Sequence, residues 1–116
     1  MPLRVQPWEE WRPAGIGPMR VLGVLPAEAY EDLQARGWTW DDHEEEYEDL
    51  TGVMVLLLER DGRSRFMLEA APSRPDLGVQ ILGPANEPAA DLLAELRSEL
   101  ALQDTPVKPD SAWPEL

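Results

Sequence analysis

Residues 53–70 read VMVLLLERDGRSRFMLEA, and this stretch decides the fold class. An apolar run rich in strand formers leads into Asp61-Gly62, a pair typical of two-residue hairpin turns, and a second strand-like run follows. The pattern predicts an antiparallel hairpin. With Asp61 and Gly62 as the two turn residues the register is fixed, and Leu58 faces Arg65.

This register separates two apolar faces, because side chains alternate across a strand. We expect the following residues to lie under the helices: Val53, Val55, Leu57, Phe66, Leu68 and Ala70. The opposite face would carry an apolar patch with a polar rim, formed by Met54, Leu56, Leu58 and Met67. Three covers for this patch are open: the tryptophan-bearing chain ends, a second copy of the protein, or another partner. The second cover makes these four residues a candidate homodimer interface.

The flanking sequence extends the hairpin into an α+β pattern. Residues 19–25 and 78–82 predict two further strands. One helix is expected to open at Pro26 and end at Gly37, and a second to span residues 87–103. The order β-α-β-β-β-α predicts a mainly antiparallel four-stranded sheet with two helices packed on one face.

Both ends of the chain are rich in proline, which removes a backbone donor and interrupts regular ladders. Residues 1–18, with Trp8 and Trp11, predict an irregular N-terminal arm. Residues 105–116 predict a proline-rich C-terminal tail that carries Trp113. Between them, residues 19–104 have a length typical of a single α+β domain.

Composition narrows the functional classes. The chain has 116 residues, no cysteine and a formal net charge of −13. Without cysteine, disulfides, thiolate zinc sites and a cysteine nucleophile are excluded. A carboxylate-rich surface repels nucleic acid and anionic membranes, whereas it attracts a basic protein. The sequence shows neither a secretory leader nor an apolar run of membrane-spanning length, so we expect a cytoplasmic protein.

The densest charge lies in residues 41–49, which read DDHEEEYED, directly after Trp38 and Trp40. Carboxylates accelerate encounter with a basic protein, and aromatic rings bind cations, so the combination predicts a docking surface. The candidate partner-binding residues are Trp38, Trp40, Asp41, Asp42, Glu44, Glu45, Glu46, Tyr47, Glu48 and Asp49. The alternative is a solvated acidic loop beside tryptophans that only cap the core.

No catalytic residue, metal site or cofactor is predicted. His43 is the only histidine, and no serine lies in a G-x-S-x-G elbow. The acidic run lacks the spaced ligands and central glycine of a calcium loop. We therefore expect a protein-binding module of the regulator, inhibitor or immunity type. Two alternatives stay open: a small-ligand or enzymatic domain with a pocket between the second sheet face and the tryptophan arms, and a homo-oligomeric structural protein.

Overall fold

The computed structural model describes residues 2–11, 18–42 and 50–114, and within them the chain is α+β with one antiparallel sheet and two α-helices, as predicted. The helices are α1 (Glu28–Ala35) and α2 (Ala89–Glu99). The strands are β1 (Arg4–Val5), β2 (Met19–Leu25), β3 (Asp41–Asp42), β4 (Met54–Arg60), β5 (Arg63–Ala70) and β6 (Val79–Pro84). No helix in these three ranges is both long and apolar enough to cross a membrane.

The sheet has six strands within the described ranges, rather than the predicted four. The long strands lie in the order β4-β5-β6-β2, and each neighbouring pair is antiparallel. The two additional strands, β1 and β3, have two residues each and pair with different parts of β4. Strands this short carry no alternation pattern, so the sequence did not distinguish them from loops.

The predicted hairpin forms around a two-residue turn. Asp61 and Gly62 have φ values of 55° and 79°, the positive values that a type I′ turn requires. A β-bulge follows the turn, so Leu58 pairs with Phe66 instead of Arg65. The two predicted pairs next to the turn, Arg60 with Arg63 and Glu59 with Ser64, are present, and beyond the bulge the predicted register is wrong by one residue.

This offset exchanges the two faces of β4, because side chains alternate with a period of two. Leu56 and Leu58 lie on the same side as Phe66, in the core beneath the helices. Val55 and Leu57 lie on the opposite side, next to Trp11. The predicted assignment of faces along β4 is wrong, whereas the one along β5 agrees with the structure.

Both helices contribute to the core on one side of the sheet, which we call the helix-covered face. Ala29 and Leu33 come from α1, and Leu92 and Leu96 from α2. The strand residues Leu56, Leu58, Phe66, Leu68, Val79 and Ile81 meet them, and each is 0% exposed. A single continuous core therefore joins the four long strands to both helices.

The N-terminal end of the chain covers part of the opposite side, which we call the arm-covered face. Leu3 is buried in the core under the helices, and β1 then pairs along the outer edge of β4. Beyond this edge, Trp11 is 8% exposed and packs on Val55 and Leu57. The arm therefore passes around the β4 edge from one face of the sheet to the other.

The C-terminal end does the same at the opposite edge. Val107 packs against the helix-covered core, and Lys108 exchanges two backbone hydrogen bonds with Val24 of β2, at 2.8 and 2.9 Å. Beyond this edge, Ser111 bonds to Gln80, and Trp113 is 6% exposed. The first of the three predicted covers, the chain ends, is thus present in the structure. Whether residues 19–104 fold without these ends stays a prediction.

Candidate partner-binding surface

The two predicted docking tryptophans lie where the chain leaves α1. The amide of Trp38 donates to the carbonyl of Leu33 at 3.0 Å, and its side chain is partly buried against the core. Trp40 is 9% exposed, and its ring meets Tyr30 edge-on, with the centroids 4.9 Å apart. These contacts favour a core-capping role for Trp40 over direct contact with a partner.

The two aspartates of β3 differ in their surroundings. The carboxylate of Asp41 is partly buried and accepts a hydrogen bond from the amide of Trp8 at 3.2 Å. Asp42 is exposed. Asp41 therefore fastens the N-terminal arm, whereas Asp42 faces solvent. The remaining predicted docking residues, Glu44, Glu45, Glu46, Tyr47, Glu48 and Asp49, lie outside the described residues, as does His43.

The four predicted interface residues do not share one surface. Leu56 and Leu58 are fully buried under the helices, and Met54 is partly buried on the same side. Met67 is partly buried on the arm-covered face, in the cluster that contains Trp11. A homodimer stays a prediction, but Leu56 and Leu58 offer no exposed surface to it.

Within the described residues, five arginines converge on α2 and its flanks, and two of them bind its glutamates. Arg65 donates two hydrogen bonds to Glu87 and two to Glu95, including Nε–Oε2 at 3.0 Å to Glu95. Arg60 contacts Glu95 at 2.8 Å and Glu99 at 3.1 Å. The hydrogen bonds with Arg65 hold the pKa of Glu87 below its ordinary value. Those from Glu87 and Glu95 raise the pKa of Arg65.

The other three arginines of this group, Arg20, Arg36 and Arg97, bind backbone carbonyls. The acceptors are Glu87 for Arg20, Leu100 and Ala101 for Arg36, and Gln103 and Thr105 for Arg97. The last carbonyls of a helix have no partner within the helix and attract cations, as at Leu100 and its neighbour Ala101. Arg97 ties α2 to the chain that follows it and Arg20 holds the chain just before it, so the three arginines fix both ends of the helix.

The exposed carboxylates on α1 and β3 have few cationic partners. We call Glu28, Glu31, Asp32 and Asp42 the α1–β3 surface. All four side chains are exposed. Arg36 lies 3.0 Å from Asp32, but no cation in the described ranges pairs with the other three carboxylates. The Tyr30–Trp40 contact joins α1 to the chain that enters β3. Exposed carboxylates without a cationic partner in the described residues thus lie on α1 and on β3, and β3 leads into the acidic residues 43–49.

A buried polar group on the arm-covered face was missed by the sequence reasoning. Glu69 is 2% and Gln80 4% exposed, and the amide nitrogen of Gln80 donates to the Glu69 carboxylate at 3.1 Å. The hydroxyl of Ser111 donates to Gln80 at 2.5 Å and accepts the amide hydrogen of Trp113 at 3.1 Å. Polar residues at alternate strand positions ordinarily indicate solvent. That signal misled here, because the tail covers them.

The described residues enclose a cavity away from the predicted pocket. A cavity of about 510 Å³ is lined by residues 24–28, 75–78 and the tail from Pro106 to Ala112. It lies beside α1, whereas at the pocket predicted near the tryptophan arms Trp11 packs directly on Val55 and Leu57. Within the described residues, no three side chains of the metal-binding types come together.

Comparison with protein-family models, curated proteins and solved structures finds no match for this chain.

Proposed function

We propose that this protein is an acidic binding module, of the regulator, inhibitor or immunity type, that docks a basic partner protein. The contact would be made by the α1–β3 surface together with the acidic residues 43–49 that follow it. The observation that carries the proposal is the position of the uncompensated carboxylates. Glu28, Glu31 and Asp42 have no ion-pair partner within the described residues, and Asp42 directly precedes the acidic residues 43–49, so together they offer carboxylates to a partner's lysines and arginines.

The buried aromatic residues support a presenting role for this region. Trp40 packs against Tyr30 and the core, and β3 is hydrogen-bonded to β4, so the start of the acidic segment is fixed to the sheet. A fixed segment loses less conformational freedom on binding than a free one. Trp38 and Trp40 would then act by positioning the carboxylates.

The test is capture from native lysate with two variants of equal charge. The first neutralises the proposed surface: Asp42→Asn, Glu44→Gln, Glu45→Gln and Glu46→Gln. The control neutralises four acidic residues elsewhere that are exposed: Glu10→Gln, Asp61→Asn, Asp91→Asn and Asp104→Asn. Asp41 stays unchanged in both, because its carboxylate holds the arm.

We expect the unmodified protein and the control to retain the same basic protein at low salt and to release it at high salt, because exposed charge pairs are screened. The first variant should retain much less of it. If the two variants retain it equally, net charge alone explains the capture and the proposed surface is wrong. After a successful capture, the association rate is measured with the purified protein and the purified partner, because this rate is the parameter most sensitive to charge at the edge of an interface.

A further inference from the structure

Two cavities adjoin each other where α1 begins. The larger, of about 510 Å³, is bounded on one side by the C-terminal tail, and the smaller, of about 220 Å³, reaches toward Tyr30 and Ala71. Ala27, Glu28, Pro75 and Gly78 line both of them. The two cavities therefore adjoin at the start of the helix, and together we call them the α1 groove.

The floor of this groove depends on a glycine. Gly78 has a φ of 70°, and a Cβ atom there would lie 2.5 Å from the carbonyl oxygen of Leu25 and 2.6 Å from Cγ1 of Val24. The chain that follows β5 can therefore approach β2 this closely only with glycine at this position. The result is a floor of close-packed backbone flanked by proline, alanine, valine and leucine side chains.

The rim of the groove is mainly acidic. Glu28, Glu31, Asp76 and Asp110 line it against a single cation among its lining residues, Lys108. Asp76 is paired with Arg74, at 2.9 and 3.0 Å, but the other three carboxylates have no ion-pair partner within the described residues. The N-terminus of α1 would by itself attract an anion, but Glu28 and Glu31 in its first turn oppose that attraction.

We propose that the α1 groove receives an extended segment of a partner protein that carries arginine or lysine next to apolar residues. Long cationic side chains bury their aliphatic stems on apolar surface while their charged heads stay at its edge. Here the floor suits the stems and the carboxylates suit the heads, arginine giving the stronger hydrogen bonds. The inference rests on the proposed function for the basic character of the partner and deepens it, because Glu28 and Glu31 belong both to the α1–β3 surface and to the rim of the groove.

The probe is an acetylated and amidated hexapeptide of alternating arginine and leucine, titrated into the ¹⁵N-labelled full chain and followed by amide chemical shifts. We expect the amides of Ala27, Gly78 and Ala112 to shift together with one dissociation constant. A hexapeptide of alternating glutamate and leucine should leave them unshifted, because the rim repels it.

Two variants of equal charge complete the test. Glu28→Gln, Glu31→Gln and Asp110→Asn together should weaken binding of the arginine peptide by about tenfold, since each exposed pair contributes modestly. The control Asp61→Asn, Asp91→Asn and Asp104→Asn changes residues that line neither cavity and should leave the dissociation constant unchanged.

Three results would overturn the proposal. They are equal binding of the glutamate peptide, unchanged affinity in the groove variant, and binding of arginine amide as tight as that of the hexapeptide, which would indicate a small-ligand site.

The groove and the proposed function fail separately. Loss of peptide binding with salt-sensitive capture intact removes only the groove, whereas peptide binding without capture of a basic protein removes only the proposed function.

Discussion

The two faces of the sheet are both covered, one by helices and the other by the two ends of the chain. Under the helices a single core contains six strand side chains with no exposure. On the other face Trp11 and Trp113 belong to two separate small clusters, and the polar Glu69 and Gln80 are buried there as well. We expect the chain ends to detach without unfolding the sheet, and the helix-covered core to open only on global unfolding. We therefore expect stability to be concentrated on the helix-covered face.

The largest effect is expected for Leu68→Ala on the helix-covered face. Leu68 is fully buried, so its truncation should lower the free energy of unfolding by about 2–5 kcal/mol through lost burial and a cavity. Urea unfolding followed by tryptophan fluorescence measures this. The neighbouring Met67→Ala, on the arm-covered face and only partly buried, is the matched control and should cost less. Equal losses of unfolding free energy in the two variants would show that the two faces contribute alike to stability.

A smaller effect is expected for Trp113→Ala, which removes the anchor of the tail. The indole of Trp113 is buried and donates to the carbonyl of Leu77 at 3.0 Å. We expect a loss of about 1–3 kcal/mol, below that of a tryptophan in the central core, because the tail can release on its own. Hydrogen exchange should accelerate at the Lys108 amide and stay slow at Phe66. Faster exchange at both amides would make the tail part of the global unfolding unit.

Gly23→Ala should act on the same tail from the opposite side. A Cβ atom at Gly23 would lie 2.5 Å from Cγ1 of Val107 and 3.0 Å from the carbonyl oxygen of Lys108. The tail must shift to admit it, at a cost of about 1 kcal/mol. The Lys108 amide should again exchange faster. Val21→Ala, at an exposed position of the same strand, is the control and should leave exchange unchanged.

How far the sequence predicted this fold depends on alternation within each strand. In β5, polar Arg65 and Glu69 alternate with apolar Phe66 and Leu68, so its buried face was predicted correctly. Residues 53–58 are all apolar, and without alternation their faces could be assigned only from the hairpin register. The bulge left no sequence signal that distinguishes it from a regular ladder, and the assignment along β4 failed for that reason.

The candidate surface shows a similar boundary between local and tertiary information. The acidic run and its neighbouring tryptophans are visible in the sequence, but the burial of Trp40 depends on Tyr30, ten residues earlier. The pairing of Arg65 with Glu87 and Glu95 joins a strand to a later helix, so no sequence spacing indicated it. Consequently the total charge is visible in the sequence, whereas the structure was needed to find which carboxylates are compensated.

The smallest effect concerns the polar edge of the helix-covered face, where Arg65 holds α2. We expect Arg65→Met to lower the free energy of unfolding by about 0.5 kcal/mol at neutral pH, because its partners are partly exposed. Arg65 holds the pKa of Glu87 below its ordinary value, so the contribution is fully present above about pH 4.5, where a glutamate ordinarily titrates. It is lost as the pH falls through the lowered pKa of the folded state.

The difference in the free energy of unfolding between the unmodified protein and Arg65→Met should therefore decrease from neutral pH to about pH 3, as measured by urea unfolding. Arg63→Met is the matched control, since it removes the same charge from an exposed hairpin position that has no ion pair within the described residues. Its effect should be near zero at neutral pH. A difference for Arg65→Met that stays constant over this range would mean that its guanidinium, 5.6 Å from the centroid of the Phe66 ring, stabilises the helix-covered face through the ring more than through its ion pairs.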